Sequence, residues 1–100
     1  MTTEDIFAQA EQELARILWR LLGTGARARV FKSELVEWWQ LSDDYRLQQS
    51  AKTVSETVSR ICKWSGGTLS FDKDGERVSY VRKRWGRQTI FVPGDSDGLR

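Results

Sequence analysis

Apolar side chains recur at spacings of three and four through Ile6, Phe7, Ala10, Leu14, Ile17, Leu18, Leu21 and Leu22. That is the period of an amphipathic helix. Thr2 or Thr3 is placed to cap it, and Glu4 and Asp5 put negative charge in its first turn, where the helix dipole favours it. Gly23 and Gly25 mark its end. Arg29-Val30-Phe31 reads as a minimal strand, and a second helix is expected from about Ser33 through Trp39, burying Leu35, Val36 and Trp39. Trp38 and Trp39 are neighbours on that helix, so both cannot face the same core.

The stretch from Gln40 to Gln49 is expected to be a polar connector with a short turn at Ser42-Asp43-Asp44. Leu47 continues the stripe of Ala51, Val54, Val58 and Ile61, so one long helix from about Asp43 is the alternative. A third helix is predicted with Ser50 as its cap and an end near Trp64, where Ser65-Gly66-Gly67 breaks it. At about 100° per residue, Val58 and Ile61 fall within about 40° of Val54, with Ala51 and Cys62 at the border. Lys52, Glu56, Ser59, Arg60 and Lys63 take the opposite face.

Beyond this helix the period drops to two. Thr68–Phe71 and Arg77–Arg82 flank Asp72-Lys73-Asp74-Gly75-Glu76, where Gly75 supplies a positive φ. A second hairpin joins residues 77–84 to 87–92. With Trp85 and Gly86 as its loop, Val81 would pair with Ile90 and Tyr80 with Phe91. Pro93 closes the sheet, so residues 1–93 are expected to form one domain and 94–100 a disordered tail.

The net charge of +2 says little about partners; its distribution says more. Residues 1–51 carry six basic and eight acidic side chains, whereas residues 52–100 carry ten and six. Between Arg77 and Val92 there are five basic residues and no acidic one. Local asymmetry of this kind governs attraction to charged partners. The single cysteine, Cys62, excludes an intramolecular disulfide and a Cys-based zinc site, and reads best as a small buried hydrophobe. Histidine is absent, which removes the commonest general base and metal ligand. Asp43-Asp44 and Asp72/Asp74 read as turn and cap residues, and no phosphate-binding glycine motif is present. An enzyme is not expected, nor a cofactor or metal. The most apolar run is far too short to span a membrane and the acidic N-terminus does not resemble a signal peptide, so a cytoplasmic or nucleoid-associated protein is expected.

The order helix, short strand, helix, connector, polar helix, hairpin resembles the winged helix-turn-helix superfamily over residues 4–92. Its most family-like run is Ala51-Lys52-Thr53-Val54-Ser55-Glu56-Thr57-Val58-Ser59-Arg60-Ile61, followed by Gly66-Gly67 and strands. The resemblance implies an α+β fold of three helices followed by a small antiparallel sheet with a basic hairpin as its wing. It makes the third helix the recognition helix, with Lys52, Thr53, Ser55, Glu56, Ser59, Arg60 and Lys63 as nucleic-acid contacts. Arg82, Lys83, Arg84, Trp85 and Arg87 would supply the wing contacts. The basic hairpin also resembles, more weakly, the winged-helix tails of phage and plasmid replication primase-helicases. The connector is longer than the family's usual three- or four-residue turn.

Cations and small hydroxyls on a helix suit phosphates and guanine edges, although such a face is also what any solvated helix presents. The clustered charges of the hairpin repel one another unless an anion meets them; the plainer reading is a charged strand edge that resists aggregation. Trp85 either stacks on a base or folds back on its own sheet, the latter being favoured. The expected function is duplex-DNA binding in transcription regulation or replication, with a mobile element as one setting. Two rivals remain open: a winged-helix module for an acidic protein partner in a larger assembly, and an RNA or single-strand binder. The wide stripe of the first helix suits a monomer core better than a dimer seam, and the oligomeric state stays open.

Overall fold

The computed structural model describes residues 3–23, 27–42 and 48–94. The expected disordered tail apart from Gly94, the Thr2 cap and half of the connector, residues 43–47, lie outside these residues. The chain runs α1 (Thr3–Leu22), β1 (Val30–Phe31), α2 (Lys32–Ser42), α3 (Ala51–Trp64), β2 (Thr68–Lys73), β3 (Glu76–Trp85) and β4 (Gln88–Pro93). All strand pairs are antiparallel, in the spatial order β1-β4-β3-β2. The α+β layout, with three helices and an antiparallel sheet ending in a basic hairpin, is the one expected from the sequence.

Each helix end has a local cause. Glu34 sits at the third helical position of α2 and its carboxylate accepts the Phe31 N–H, one half of a capping box. Arg27 also donates to Glu34 at 2.5 Å. Burial works against ionisation of Glu34, but these hydrogen bonds outweigh it and hold its pKa below the ordinary carboxylate value. The Ser50 hydroxyl accepts the Thr53 N–H at the start of α3, as its sequence position predicts. At the other end Gly66 and Gly67 take positive φ, and the Gly67 N–H closes on the Cys62 carbonyl.

Every helix packs on one face of the sheet. Val30, Leu69, Phe71, Tyr80 and Phe91 meet Leu14, Leu18, Leu35, Trp39, Val54, Val58 and Ile61 in one core. Trp39 is 1% exposed and its indole N–H donates to Glu13 at 2.9 Å, whereas Trp38 is 49% exposed. Adjacent helix positions thus divide between core and surface. Ala51, expected at the border of the α3 stripe, is exposed. At the sheet edge, Glu11 accepts both the Ser70 N–H and its hydroxyl, so α1 occupies a donor that an edge strand would otherwise present.

Two expectations need correction. Residues 40–42 continue α2 rather than starting the connector. Nothing in Gln40-Leu41-Ser42 breaks a helix, and the Ser42 hydroxyl donates to the Trp39 carbonyl near the helix end. The last hairpin turns at Gly86-Arg87, not at Trp85-Gly86. Trp85 pairs with Gln88, Arg82 with Phe91, Val81 with Val92 and Tyr80 with Pro93. A Trp85-Gly86 turn of the mirror-image type favoured in hairpins would force positive φ on a bulky aromatic. With the turn one residue later, Gly86 alone takes positive φ, at 65°. The change moves each pairing by two residues, so every side chain keeps its face.

Candidate nucleic-acid interface

The α3 stripe of Val54, Val58, Ile61 and Cys62 is buried, which turns the other side of the helix outward. Lys52, Glu56, Arg60 and Lys63 are exposed there, as the helical period requires. The hydroxyl residues divide differently. Thr53 serves the cap: its hydroxyl accepts from Ser50, and its carbonyl accepts from the Thr57 hydroxyl. Ser55 lines a groove between α2 and α3 with Ser33, Val36 and Gln40. Ser59 is half-buried and accepts a hydrogen bond from the Lys32 ammonium, at the first residue of α2.

Strand alternation splits the wing. Arg82 lies opposite Phe91 and Arg84 opposite Thr89, on the face that carries the core and the helices. Lys83 lies opposite Ile90 and Trp85 opposite Gln88, on the outer face. Arg87 sits in the turn. The wing cations are therefore divided between the two faces of the hairpin, although Arg82, Lys83 and Arg84 line one shallow depression with Thr89. Arg82 also joins α3: with Lys32, Ser59, Cys62, Thr89 and Phe91 it lines a small depression of about 30 Å³ where the wing root meets the helices. Arg84 extends this surface toward the tip beside Arg82, Lys83 and Thr89.

On the outer face the Arg29 guanidinium lies 3.9 Å from the centre of the Trp85 ring. Trp85 is thus folded back against its own molecule, although half of it stays exposed. Ile90, only 3% exposed, shares that face by register with Phe31 and Lys83 and stands apart from the main core.

Burial pushes the Cys62 thiol up, against the pull of the Arg82 and Lys32 charges. The thiol stays protonated at neutral pH and forms an inert wall of the depression. Among the described residues the ion pairs are Arg27–Glu34, Lys73–Asp74 and Arg77–Asp72. Among the described residues none of the α3 or wing cations is in an ion pair. Through the Lys32–Ser59 contact α3 thus adjoins Arg82, and through Arg82 and Thr89 it adjoins Arg84, with Glu56 an exposed carboxylate on the outer face of α3. Such a surface can hold a polyanion.

Sequence reasoning did not find Lys32, Thr89 or Arg29. Lys32 is 27 residues from Ser59, and only the packing of α2 on α3 brings them together. Arg29 meets Trp85 because β1 pairs with β4, a contact with no local sequence signal. Searches against protein-family models, curated proteins and solved structures give no match to this chain. Among the described residues no helix is long and apolar enough to cross a membrane.

Proposed function

We propose that the chain is a winged-helix nucleic-acid-binding module that takes duplex DNA, with α3 as its recognition helix and the β3–β4 hairpin as its wing. The observation that carries the reading is the meeting of α3, at Ser59, with the inner-face wing cation Arg82, and among the described residues no carboxylate is paired to the cations of either element. Phosphate contacts would supply most of the affinity by releasing counterions, and Lys52, Arg60 and Lys63 would add modest base readout. Glu56, exposed among these cations, fits a cytosine amino group. A role in transcription regulation or replication follows from this kind of module rather than from any one residue.

A protein interface is the second reading. It draws on Trp38 and Leu41 of α2, which are 49% and 65% exposed and offer apolar surface that a phosphate backbone does not use.

Titration of duplex DNA, single-stranded DNA and RNA at two salt concentrations separates these readings. Duplex affinity should fall linearly on a log–log plot against salt. Lys63→Glu should weaken duplex binding about tenfold or more, with stability unchanged to within about 0.5 kcal/mol. Unchanged duplex affinity after Lys52, Arg60 and Lys63 are all reversed would remove α3 from the interface. Absence of nucleic-acid binding by the parent chain would leave the protein-interaction reading in front.

A further inference from the structure

We propose that Lys32, Ser59, Arg82 and Thr89 form a single oxyanion subsite that receives a phosphate group. The proposal deepens the nucleic-acid reading and rests on it only for the source of the phosphate.

The four side chains come from the start of α2, the middle of α3, β3 and β4, and they converge on one depression. Their hydrogen-bonding capacity is unbalanced. The Lys32 ammonium donates to the Ser59 oxygen, which occupies an acceptor there. The Ser59 hydrogen, the Thr89 hydroxyl hydrogen, the Arg82 guanidinium and the rest of the Lys32 ammonium have no acceptor among the described residues. A site so rich in donors, with two cations and no paired carboxylate, calls for an anion with several lone pairs. Glu11 does not fill that role: one of its carboxylate oxygens accepts both Ser70 hydrogen bonds, and it makes no ion pair with Lys32 or Arg82 among the described residues.

Size narrows the ligand. The depression is small, about 30 Å³, and its polar lining is made of donors, so it suits one compact anion rather than a base with its sugar. A phosphodiester can present its non-bridging oxygens and keep its chain outside, along the surface between α3 and the wing. Arg82 then offers a planar fork and Lys32 a compact charge to the same group.

The test is a double-mutant cycle on the full chain with a mixed-sequence duplex, comparing the parent, Lys32→Met, Arg82→Met and the double variant across salt concentrations. If both cations meet one phosphate, either single variant keeps that phosphate neutralised and leaves the salt dependence nearly unchanged, and the double variant flattens it by about one counterion. A double variant that loses about two counterions, or none, overturns the shared backbone-phosphate contact. Ser59→Ala keeps both cations and covers the event that a charge variant fails to fold. It should weaken duplex binding roughly two- to tenfold without changing the slope.

Inorganic phosphate titrated into the parent, followed through the amide resonances of Ser59, Arg82 and Thr89, separates the two phosphate sources. Saturable shifts that vanish in the double variant, with no duplex binding by the parent, keep the subsite for free phosphate and discard the DNA reading. Duplex binding that is indifferent to all four chains, with no phosphate-induced shifts, discards the subsite and keeps the DNA reading. Binding of poly-glutamate, but not of DNA or phosphate, with the same dependence on Lys32 and Arg82 would also overturn the proposal in favour of an acidic protein partner.

Discussion

Strand β3 belongs to two hairpins of the same build and opposite charge organisation. The β2–β3 hairpin turns through Asp74-Gly75, both with positive φ, and the β3–β4 hairpin through Gly86-Arg87, with positive φ at the glycine. At the first tip the charges are matched: Lys73 meets Asp74 at 2.9 Å and Arg77 meets Asp72 at 3.4 Å. At the second, Arg82, Lys83, Arg84 and Arg87 have no carboxylate among them. Both loops have two residues and a glycine that relieves the backbone, so the hairpin geometry does not require the cations. Exposed ion pairs contribute little to stability, and replacing like-charged neighbours would cost the fold nothing obvious. The charge excess of the wing is therefore not a requirement of the turn, and variants can test whether a partner uses it.

The largest expected effect tests this contrast. Arg84→Ala with Arg87→Ala should lower affinity for all duplexes alike, by about 2–3 kcal/mol at low salt, and reduce the salt slope by up to about two counterions. Lys73→Ala with Arg77→Ala, at the other tip of the same strand, should leave both quantities unchanged. Equal losses from the two pairs, measured by fluorescence anisotropy, would show that the wing is not distinguished from its neighbour.

Next in size is the backbone that the hairpins share. An added Cβ at Gly75 or Gly86 meets nothing within 4 Å, so alanine there costs only the positive φ, about 1–2 kcal/mol of stability at either turn. Thermal melts should show similar losses for the two variants. A much larger loss at one turn would mean that its tip is packed as well as bent.

Trp85→Ala removes the ring beneath Arg29 and should destabilise the chain by about 0.5–1 kcal/mol. If the exposed half of the ring also stacks on bases, binding to single strands or junctions should fall more than binding to duplex. A uniform loss across all three would confine Trp85 to a role within its own sheet.

The smallest effect concerns a charge that, unlike those of the wing, is matched. Because the folded state lowers the pKa of Glu34, its contribution is present above the ordinary carboxylate pKa and disappears as pH falls through the lowered one. Glu34→Gln should therefore be less stable than the parent at pH 7, by up to about 1 kcal/mol, with the difference closing as pH falls through the lowered pKa. A difference that persists in acid would point to lost packing instead.

The α3 helix was readable almost residue by residue. Ser50 caps it, Val54, Val58 and Ile61 are buried, and Gly66-Gly67 ends it, because caps and a 3.6-residue period are local properties. The wing was readable in kind but misplaced by one residue. Trp-Gly-Arg permits either turn by composition, and the steric cost of positive φ at Trp85 separates them. The α2 boundary was set too early because polar residues such as Gln40 and Ser42 read as connector, whereas helix propensity and packing carry α2 on to Ser42.

The sequence by itself determined the elements, the core-facing stripe of each helix, the exposed cations of α3 and the excess of charge at the wing. These follow from periodicity, capping and turn chemistry over a few residues. Only the tertiary structure decided which wing cations join α3. Arg82 and Arg84 face the helices while Lys83 and Trp85 face away, because the strand register assigns faces. Only packing could bring Lys32 to Ser59, and only the β1–β4 pairing could set Arg29 over Trp85. Contacts between residues so far apart along the chain depend on how whole elements dock, and a short window of sequence carries no trace of them.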